Sequence, residues 1–303
     1  MSTSSLFAPV RAAAATLAPL SLGAVTLDWS RTYLMGVVNV TPDSFSDGGR
    51  FLDPTAAVTQ GQDLAAAGAD LLDVGGESTR PGADPVSATD ELARVIPVIE
   101  GLRESTAAPI SVDTYKAEVA AAACRAGATV VNDVSGLTLD PDLASAAAEA
   151  GAALVLGHIR GTPRTMQADV SYQDVLDEVA GALQASVDQA IAAGVASERI
   201  LVDPGIGFGK SVSGNLTLIR GAGALRRRLA HAVLMGPSRK SFIGRLTGAE
   251  VGDRLPGTLA ALVAGRLYGA DVMRVHDVRE ARQAATVADA VLGRDASTRR
   301  VSA

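Results

Sequence analysis

The sequence repeats one architectural unit eight times, and this repetition constrains the fold more than any other feature. Each unit is a short run of aliphatic or β-branched residues, followed by a polar loop and then by a stretch rich in Ala and Leu. Runs that are hydrophobic nearly throughout are typical of parallel strands covered by helices on both faces. The predicted strands cover residues 33–40, 69–75, 108–113, 128–133, 152–158, 199–205, 232–236 and 270–276.

Three of the predicted helices end in a glycine that directly precedes the next strand. Gly68, Gly127 and Gly151 occupy these positions, where a left-handed residue closes a helix. Strand–helix pairs in this number and order favour the α/β class and a single-domain (β/α)8 TIM barrel. An open doubly wound sheet is the alternative, since composition alone does not show whether the sheet closes. The barrel is predicted over residues 31–293, after an irregular lead-in at 1–30 and before a tail at 294–303.

Composition and charge disfavour several classes of function. Lys and Arg number 27 against 33 Asp and Glu, a net charge of −6, whereas proteins that bind nucleic-acid backbones carry a clustered positive surplus. No apolar run reaches the roughly 18 residues of a membrane-spanning helix. Residues 12–25 faintly resemble the hydrophobic part of a secretory signal, but Pro19 and the many alanines argue against it. We therefore expect no nucleic-acid partner and no membrane attachment.

Cysteine and histidine usage predicts no further chemistry. The lone cysteine, Cys124, excludes an internal disulfide framework and favours a reducing, cytoplasmic location. It lies in an Ala-rich helix, where a cysteine is usually a small buried hydrophobe. His158 is interpreted as a loop anchor, with a catalytic role as the less favoured alternative, and His231 as structural because it precedes the seventh strand. The histidines lie on separate units, without the spacing of a metal site.

Polar residues end each predicted strand or open the loop after it. One such residue could be a helix cap or a buried side chain with satisfied hydrogen bonds. Eight together predict a single polar pocket at the carboxyl ends of the strands, where barrel enzymes have their active sites. In chain order they are Asn39, the loop GGESTRPG, Asp113, Asn132 with Asp133, His158, Asp203, the loop PSRKS, and Arg274 with His276.

The side-chain types in this pocket predict its ligand. Asp113, Asn132 and Asp203 suit a flat heterocycle with alternating N–H and C=O edges better than a sugar or a metal. Cationic side chains at the same mouth indicate an anion such as phosphate or carboxylate. They are Arg80, Lys240, Arg274 and His276. Taken alone, the run Ser-Arg-Lys-Ser is better explained as the start of a helix with solvated charges.

Eight motifs, taken together, resemble the dihydropteroate synthase family. They occur in the order that the family requires, and several are too long and unusual to match by chance. The motifs are MGVVNVTPDSFSDGGRF (35–51), DVGGESTRPGA (73–83), PISVDTYK (109–116), VVNDVSG (130–136), HIRGTPRTMQ (158–167), ILVDPGIGFGK (200–210), SRKSFIG (238–244) and RVHDV (274–278).

The resemblance implies a (β/α)8 barrel enzyme of folate biosynthesis. Enzymes of this family condense 6-hydroxymethyl-7,8-dihydropterin diphosphate with p-aminobenzoate, and they release 7,8-dihydropteroate and pyrophosphate with the help of Mg²⁺. Sulfonamides inhibit them as mimics of p-aminobenzoate. The resemblance also implies a homodimer formed through late barrel helices. The apolar stretch 255–270 is consistent with such an interface and equally consistent with an ordinary barrel helix.

The resemblance implies binding residues for the pterin and for its diphosphate. The residues that match pterin-binding positions are Asp113, Asn132, Asp203 and Lys240. Those that match diphosphate-binding positions are Asn39, Arg274 and His276, with Mg²⁺ held through Asn39. The implied catalytic residues are Asp113, Lys240, Arg274 and His276. No strong base is expected, because loss of a diphosphate needs stabilised negative charge and the arylamine is already neutral.

A second group of residues matches the positions that enclose p-aminobenzoate. Two mobile loops close over this substrate, and a short helix start holds its carboxylate. The residues are Phe45 and Asp47 in the first loop, Thr79, Arg80 and Pro81 in the second loop, and Phe208, Ser241 and the stem of Lys240 in the pocket below.

Four positions depart from the family's usual pattern, one of them Pro237 before Ser238. Gly157 and Ile159 stand where methionines are usual, which is expected to reshape the floor of the pterin pocket. Gly214 stands where a histidine commonly precedes the asparagine.

Two other functions share the barrel: a pterin-binding methyltransferase and a catalytically silent paralogue. The motifs STRPG, SRKS and RVHDV argue against the methyltransferase, and the intact loops argue against the silent paralogue.

Overall fold

Eight parallel strands close into a barrel in the order in which they occur along the chain. The computed structural model describes residues 17–41 and 54–294. The last barrel strand pairs with both the first and the seventh, so the barrel sheet has no free edge. The predicted closed barrel is confirmed, and the alternative of an open doubly wound sheet is wrong.

A hairpin precedes the barrel, and each barrel strand lies within the run predicted for it. The hairpin strands are β1 (Leu20–Leu22) and β2 (Val25–Leu27). The barrel strands are β3 (Tyr33–Asn39), β4 (Leu71–Gly75), β5 (Ile110–Asp113), β6 (Val130–Asp133), β7 (Ala153–Gly157), β8 (Ile200–Asp203), β9 (Ala232–Met235) and β10 (Val272–Val275).

Helices follow the barrel strands and cover the outside of the sheet. They are α1 (Pro54–Ala66), α2 (Ala88–Ser105), α3 (Ala117–Ala126), α4 (Leu143–Glu149), α5 (Val175–Ala192), α6 (Val212–Arg220), α7 (Ala222–Leu229), α8 (Ser241–Thr247), α9 (Leu255–Leu267) and α10 (Val278–Val291). Gly68, Gly127 and Gly151 have positive φ angles of 102°, 130° and 62°, which confirms their predicted role in ending helices. Within the described ranges, no helix is long and apolar enough to cross a membrane.

Side chains alternate along the barrel strands and pack into two separate regions. Outward-facing residues such as Leu34 and Leu72 form the large core between the sheet and the helices. Inward-facing residues such as Met35 and Leu71 fill the amino-terminal half of the barrel. Because alternate residues share a face, the next inward position after Leu71 is Asp73, which is fully buried. The interior is therefore apolar at one end and polar at the other.

The hairpin closes the apolar end of the barrel. Leu20 and Leu27 are buried in the same cluster as the inward-facing barrel residues. Trp29 follows β2; its ring lies edge-on to Tyr33 at 5.9 Å between centroids, and its Nε1 donates to the Ala18 carbonyl at 2.8 Å. The prediction of an irregular lead-in is wrong for this part of residues 1–30, because its alternating leucines form a sheet with a buried face.

Replacing Trp29 with Ala is expected to destabilise the barrel without changing the site at its other end. Trp29 is 7% exposed, and truncating a buried Trp costs about 3–5 kcal/mol through lost burial and the cavity left behind. Thermal unfolding followed by circular dichroism measures the loss, and ligand binding at low temperature is expected to stay unchanged. Trp29→Phe is the control, since it keeps most of the packing. A melting temperature equal to the wild type in Trp29→Ala would show that the hairpin does not support the barrel.

Candidate active site

A cavity of about 480 Å³ opens at the carboxyl ends of the barrel strands. It brings together most of the residues that the sequence predicted for one pocket. The predicted residues that line it are Asn39, Thr79, Arg80, Pro81, Asp113, Lys240, Ser241, Arg274 and His276. Asn132, Asp203 and Phe208 lie beside these residues, and Phe45 and Asp47 fall outside the described residues. The predicted polar residues meet at this end of the barrel, but Asp133 and His158 do not line the cavity: the Asp133 carboxylate accepts the backbone N–H groups of Ser135 and Leu137 instead.

Arg274 forms the charged centre of the cavity floor. Its Nε donates to Asp73 Oδ2 and its Nη2 donates to Asp113 Oδ2, both at 2.6 Å. Asn132 Nδ2 donates to the same Asp73 oxygen at 3.0 Å. One guanidinium therefore bridges two buried carboxylates, which charge-assisted hydrogen bonds of this length hold firmly.

Asp73 is a site residue that the sequence reasoning missed. That reasoning considered only the residues that end strands or open loops, whereas Asp73 lies two residues before the end of β4. The signal that could have found it is the strand alternation, since Leu71 and Asp73 share the inward face. A fully buried aspartate inside a barrel requires a partner, and Arg274 supplies it.

Two aspartates of the floor, Asp113 and Asp203, have raised pKa values. Burial raises the pKa of Asp113 to about 7, against the lowering effect of Arg274, and the Asp73 carboxylate adds to the rise. Burial also raises the pKa of Asp203 above its usual value, although its Oδ1 accepts a hydrogen bond from the Gly205 backbone N–H at 2.7 Å. Because burial disfavours their charged forms, Asp113 and Asp203 are stabilised by a ligand that donates N–H groups to them.

Lys240 extends over the floor from the loop after β9. Its Nζ lies 3.7 Å from the centre of the Phe208 ring, a cation–π contact. Burial lowers the pKa of Lys240 to about 8, and Arg274 lowers it further. Helix α8 does begin at Ser241, but the Lys240 ammonium is not a solvated charge. The explanation of Ser-Arg-Lys-Ser as an ordinary helix start is therefore right about the helix and wrong about the lysine.

His276 lies at the cavity wall as a neutral imidazole, whereas the sequence predicted a cationic side chain at this position. Burial lowers its pKa to about 3, and the charges of Arg274 and Arg239 act in the same direction. Its Nδ1 is 2.9 Å from Ser238 Oγ, which also accepts the His276 backbone N–H at 3.3 Å. Ser238 orients the ring, and it is a second residue that the sequence reasoning did not single out.

The loop after β4, residues 76–84, is fixed at its start. Lys116 forms ion pairs with Glu77 and with the buried Glu91, and the Tyr115 hydroxyl donates to Glu77 Oε1 at 2.9 Å. Thr79, Arg80 and Pro81 follow in this loop and line the cavity. These contacts attach the start of the loop to the barrel beside the cavity.

The other histidines and the cysteine have the structural surroundings that the sequence favoured. The buried Lys210 contacts His158 Nδ1 at 3.0 Å and donates to the His158 carbonyl at 3.1 Å, so His158 anchors a loop. His231 contacts Ser197 Oγ at 3.3 Å at the opposite end of the barrel. Burial raises the pKa of the Cys124 thiol to about 11, which makes it unreactive.

Gly157, Ile159 and Gly214, which depart from the family pattern, have identifiable surroundings. A Cβ at Gly157 would lie 2.8 Å from the Asp133 carbonyl oxygen and the Val134 Cα, so neighbouring backbone fills this part of the floor. Ile159 packs with other apolar side chains beside the cavity. The Gly214 N–H donates to the N-cap Ser211 at 3.1 Å.

Asn39 is the predicted metal ligand, and its place in the cavity fits the Mg²⁺ that the resemblance implies. Its side chain ends β3 and lines the cavity. In the described ranges, no group of three or more His, Cys, Asp or Glu is arranged to hold a metal by itself. Mg²⁺ commonly takes one or two protein oxygens and completes its shell with substrate phosphates and water. One amide oxygen beside a cationic cavity fits this mode of binding.

The pKa values predict a bell-shaped pH dependence for ligand binding. Asp113 accepts ligand N–H groups as a carboxylate, so its contribution is complete above pH 7 and is lost as the pH falls through about 7. Lys240 contributes as an ammonium, so its part is lost as the pH rises through about 8. Calorimetric titration with a pterin that lacks the diphosphate measures the profile, because this ligand adds no phosphate titration. Asp113→Asn is expected to remove the acid limb, and a flat wild-type profile would contradict the assignment.

Comparison with known proteins identifies close relatives over nearly the whole chain. Residues 35–276 match the family described as "Pterin binding enzyme". A dihydropteroate synthase of Synechocystis sp. is 47% identical over 275 residues, which cover 90% of this chain and 95% of that protein. Yersinia pestis dihydropteroate synthase in a sulfonamide drug complex has a TM-score of 0.86 at 39% identity, covering 91% of this chain and 100% of that one. Xanthomonas albilineans dihydropteroate synthase with 4-aminobenzoic acid has a TM-score of 0.84 at 46% identity, covering 90% and 98%.

Proposed function

This chain belongs to the dihydropteroate synthase family of pterin-binding enzymes, and we propose on this premise how its residues carry out the reaction. The enzyme condenses 6-hydroxymethyl-7,8-dihydropterin diphosphate with p-aminobenzoate and releases 7,8-dihydropteroate and pyrophosphate. The observation that carries the proposal is the bridge from Arg274 to Asp73 and Asp113 on the floor of a cavity with a cationic mouth. This arrangement places hydrogen-bond acceptors for a heterocycle beside hydrogen-bond donors for an anion.

The pterin binds on the cavity floor. Asp113 and Asp203 accept hydrogen bonds from its N–H groups, and Asn132, held by Asp73, offers both a donor and an acceptor. Both carboxylates have raised pKa values in the free protein, so they gain from a ligand that donates hydrogen bonds to their charged forms. Lys240, in contact with the Phe208 ring, lies beside the pterin.

Departure of the diphosphate is the step that the cationic groups assist. The bond between the pterin methylene carbon and the diphosphate oxygen breaks, and the ring nitrogen lone pairs stabilise the cation left behind. Arg274 uses Nε and Nη2 for the two aspartates, which leaves the N–H groups of Nη1 for the departing oxygens. His276, held by Ser238, donates a further hydrogen bond. A Mg²⁺ ion bound through Asn39 would add positive charge next to the diphosphate.

Attack by p-aminobenzoate needs positioning more than a base. Its amine is neutral at pH 7, so a new C–N bond forms from the lone pair, and the surplus proton then leaves to solvent. Ser241 and the stem of Lys240 hold the carboxylate, and Phe208 packs against the ring. The loop 76–84, with Thr79, Arg80 and Pro81, covers the substrate from outside and excludes water. Phe45 and Asp47 are assigned to the loop that closes from the other side.

We also propose a cytoplasmic homodimer. A single cysteine with a raised pKa is in keeping with a reducing compartment. In α9, the only charged side chain is Arg266, which is buried, while Ala260 and the half-buried Leu259 and Val263 form an apolar outer surface. A helix that is apolar on all sides is usually covered, and a second copy of the chain would cover it. Sedimentation of the purified protein measures this assembly.

Release of pyrophosphate by the purified protein tests the proposed reaction. With Mg²⁺, the pterin diphosphate and p-aminobenzoate present, a coupled assay is expected to detect pyrophosphate and dihydropteroate in equal amounts. Omitting p-aminobenzoate removes dihydropteroate, and chelating Mg²⁺ is expected to suppress both products. Pterin binding without release of pyrophosphate would reject the enzyme and support the silent paralogue.

A further inference from the structure

Two loops at the mouth of the cavity are joined by a pair of side-chain links. We call residues 236–240, after β9, the lysine loop, and residues 276 and 277, after β10, the histidine loop. Ser238 of the lysine loop contacts His276 Nδ1 at 2.9 Å. One residue further along in each loop, Arg239 Nε donates to Asp277 Oδ2 at 3.1 Å, and its Nη2 pairs with the other oxygen. The second link has no part in the reaction proposed above.

The backbone of Arg239 has a conformation that residues with side chains rarely adopt. Its φ is 58°, in the left-handed region that favours glycine. Its N–H donates to Thr258 Oγ1 at 3.0 Å, and its carbonyl accepts from Arg254 Nη1 at 3.1 Å. Contacts from outside the lysine loop therefore hold Arg239 at its N–H, its carbonyl and its side chain. A strained residue persists only where its surroundings impose the conformation.

Arg239 sets the direction of the residues that follow it. Lys240 comes next, and its stem passes so close to Gly207 that a Cβ there would lie 2.8 Å from Lys240 Cδ. Its ammonium then reaches the Phe208 ring at 3.7 Å. Ser241 begins α8 directly afterwards. A change in the backbone of Arg239 would therefore move both groups assigned to the carboxylate of p-aminobenzoate.

We propose that Asp277 is a positioning residue that couples the arylamine half of the site to the diphosphate half. Through its ion pair it holds Arg239, and hence Lys240 and Ser241, in a fixed relation to the adjacent His276. This assignment rests on the proposed function for the identity of the two substrates. Asp277 itself is not among the cavity-lining residues, so it acts through Arg239.

Two features separate this role from a purely structural one. Asp277 is the N-cap residue of α10, yet its side chain makes no capping hydrogen bond, because its carboxylate pairs with Arg239. Asparagine caps helices as well as aspartate does, so Asp277→Asn keeps any capping capacity while it removes the charge and one of the two oxygens that accept from Arg239. The side chains of the pair are 44% and 19% exposed, and pairs at such exposure add little to stability.

The test compares wild type with Asp277→Asn, Asp277→Glu, Arg239→Gly and the double variant Arg239→Gly with Asp277→Asn. Binding of p-aminobenzoate is measured by calorimetry with pyrophosphate and Mg²⁺, and steady-state kinetics are measured in parallel. Asp277→Asn is expected to raise both Kd and KM for p-aminobenzoate about threefold, the scale of a partly exposed ion pair. Its affinity for a pterin without diphosphate is expected to change less than twofold, and its melting temperature to stay that of the wild type. Asp277→Glu restores part of the loss.

The double variant decides whether Asp277 acts through Arg239. If it does, Arg239→Gly with Asp277→Asn binds p-aminobenzoate no more weakly than Arg239→Gly alone. Fully additive losses would overturn the proposal, and so would wild-type Kd and KM values in Asp277→Asn. A wild-type protein that binds p-aminobenzoate but releases no pyrophosphate would reject the proposed function, while the binding series would still decide the role of Asp277.

Discussion

Arg274→Met is expected to lower turnover by at least about 10²-fold, the usual effect of losing one preorganised donor to a developing negative charge. The same change leaves Asp73 and Asp113 buried next to each other without their common partner. Removing one member of a buried ion pair costs about 3–5 kcal/mol, so the melting temperature falls as well. Binding of a pterin without diphosphate also weakens, because loss of the Arg274 charge raises the pKa of Asp113 further. Kinetics, calorimetry and thermal unfolding measure the three effects.

Two controls separate these effects from general loss of the fold. Arg274→Lys keeps the charge but lacks the planar fork that reaches two carboxylates, so it is expected to recover stability more than turnover. Arg226→Met breaks the ion pair with the buried Asp271, outside the cavity, and is expected to lower stability while leaving pterin affinity unchanged. Wild-type pterin binding in Arg274→Met would show that the aspartates do not depend on this bridge.

Lys240→Met is expected to lower kcat/KM for the pterin diphosphate by on the order of 10²-fold without loss of stability. The ammonium faces Asp113 and Asp203 and lowers the pKa of both. Its removal raises the pKa of Asp113, so the acid limb of pterin binding moves to higher pH and the alkaline limb disappears. Burial disfavours the ammonium in the folded protein, and the melting temperature is therefore expected to stay the same or rise.

The pH profile gives the sharpest comparison for Lys240. Lys240→Arg keeps a charge that does not titrate in this range, so it is expected to retain the acid limb near its wild-type position and to lose only the alkaline one. An acid limb that stays in place in Lys240→Met would contradict the electrostatic coupling between Lys240 and Asp113. A large fall in melting temperature would instead assign the lysine a structural role.

Arg274→Met and Lys240→Met are expected to differ in stability because ion pairing offsets the cost of burial for Arg274 but not for Lys240. Arg274 donates directly to two carboxylates at 2.6 Å, and their charge outweighs the cost of its burial. Lys240 has an aromatic face as its nearest partner and only more distant carboxylates. The site therefore has one cation that stabilises the fold and one that is kept for binding at a cost in stability, as is common in active sites.

The sequence by itself determined the barrel and the end of the barrel that carries the chemistry. Strand periodicity and terminal glycines such as Gly127 are local signals, since each depends on residues a few positions apart. The polar strand ends at Asn39, Asp113 and Arg274 followed from the same local pattern. Because all parallel strands of a barrel end on one face, these signals were enough to predict a shared pocket.

Only the tertiary structure decided which side chains meet in that pocket. Asp73 and Arg274 are 201 residues apart in the chain, and no local pattern pairs them. The strained backbone of Arg239 and its link to Asp277 likewise depend on two loops that become neighbours only when β9 and β10 pair. Local periodicity shows where a side chain lies along its strand, but hydrogen bonds of 2.6 Å require the closure of the whole barrel, which brings distant strands face to face.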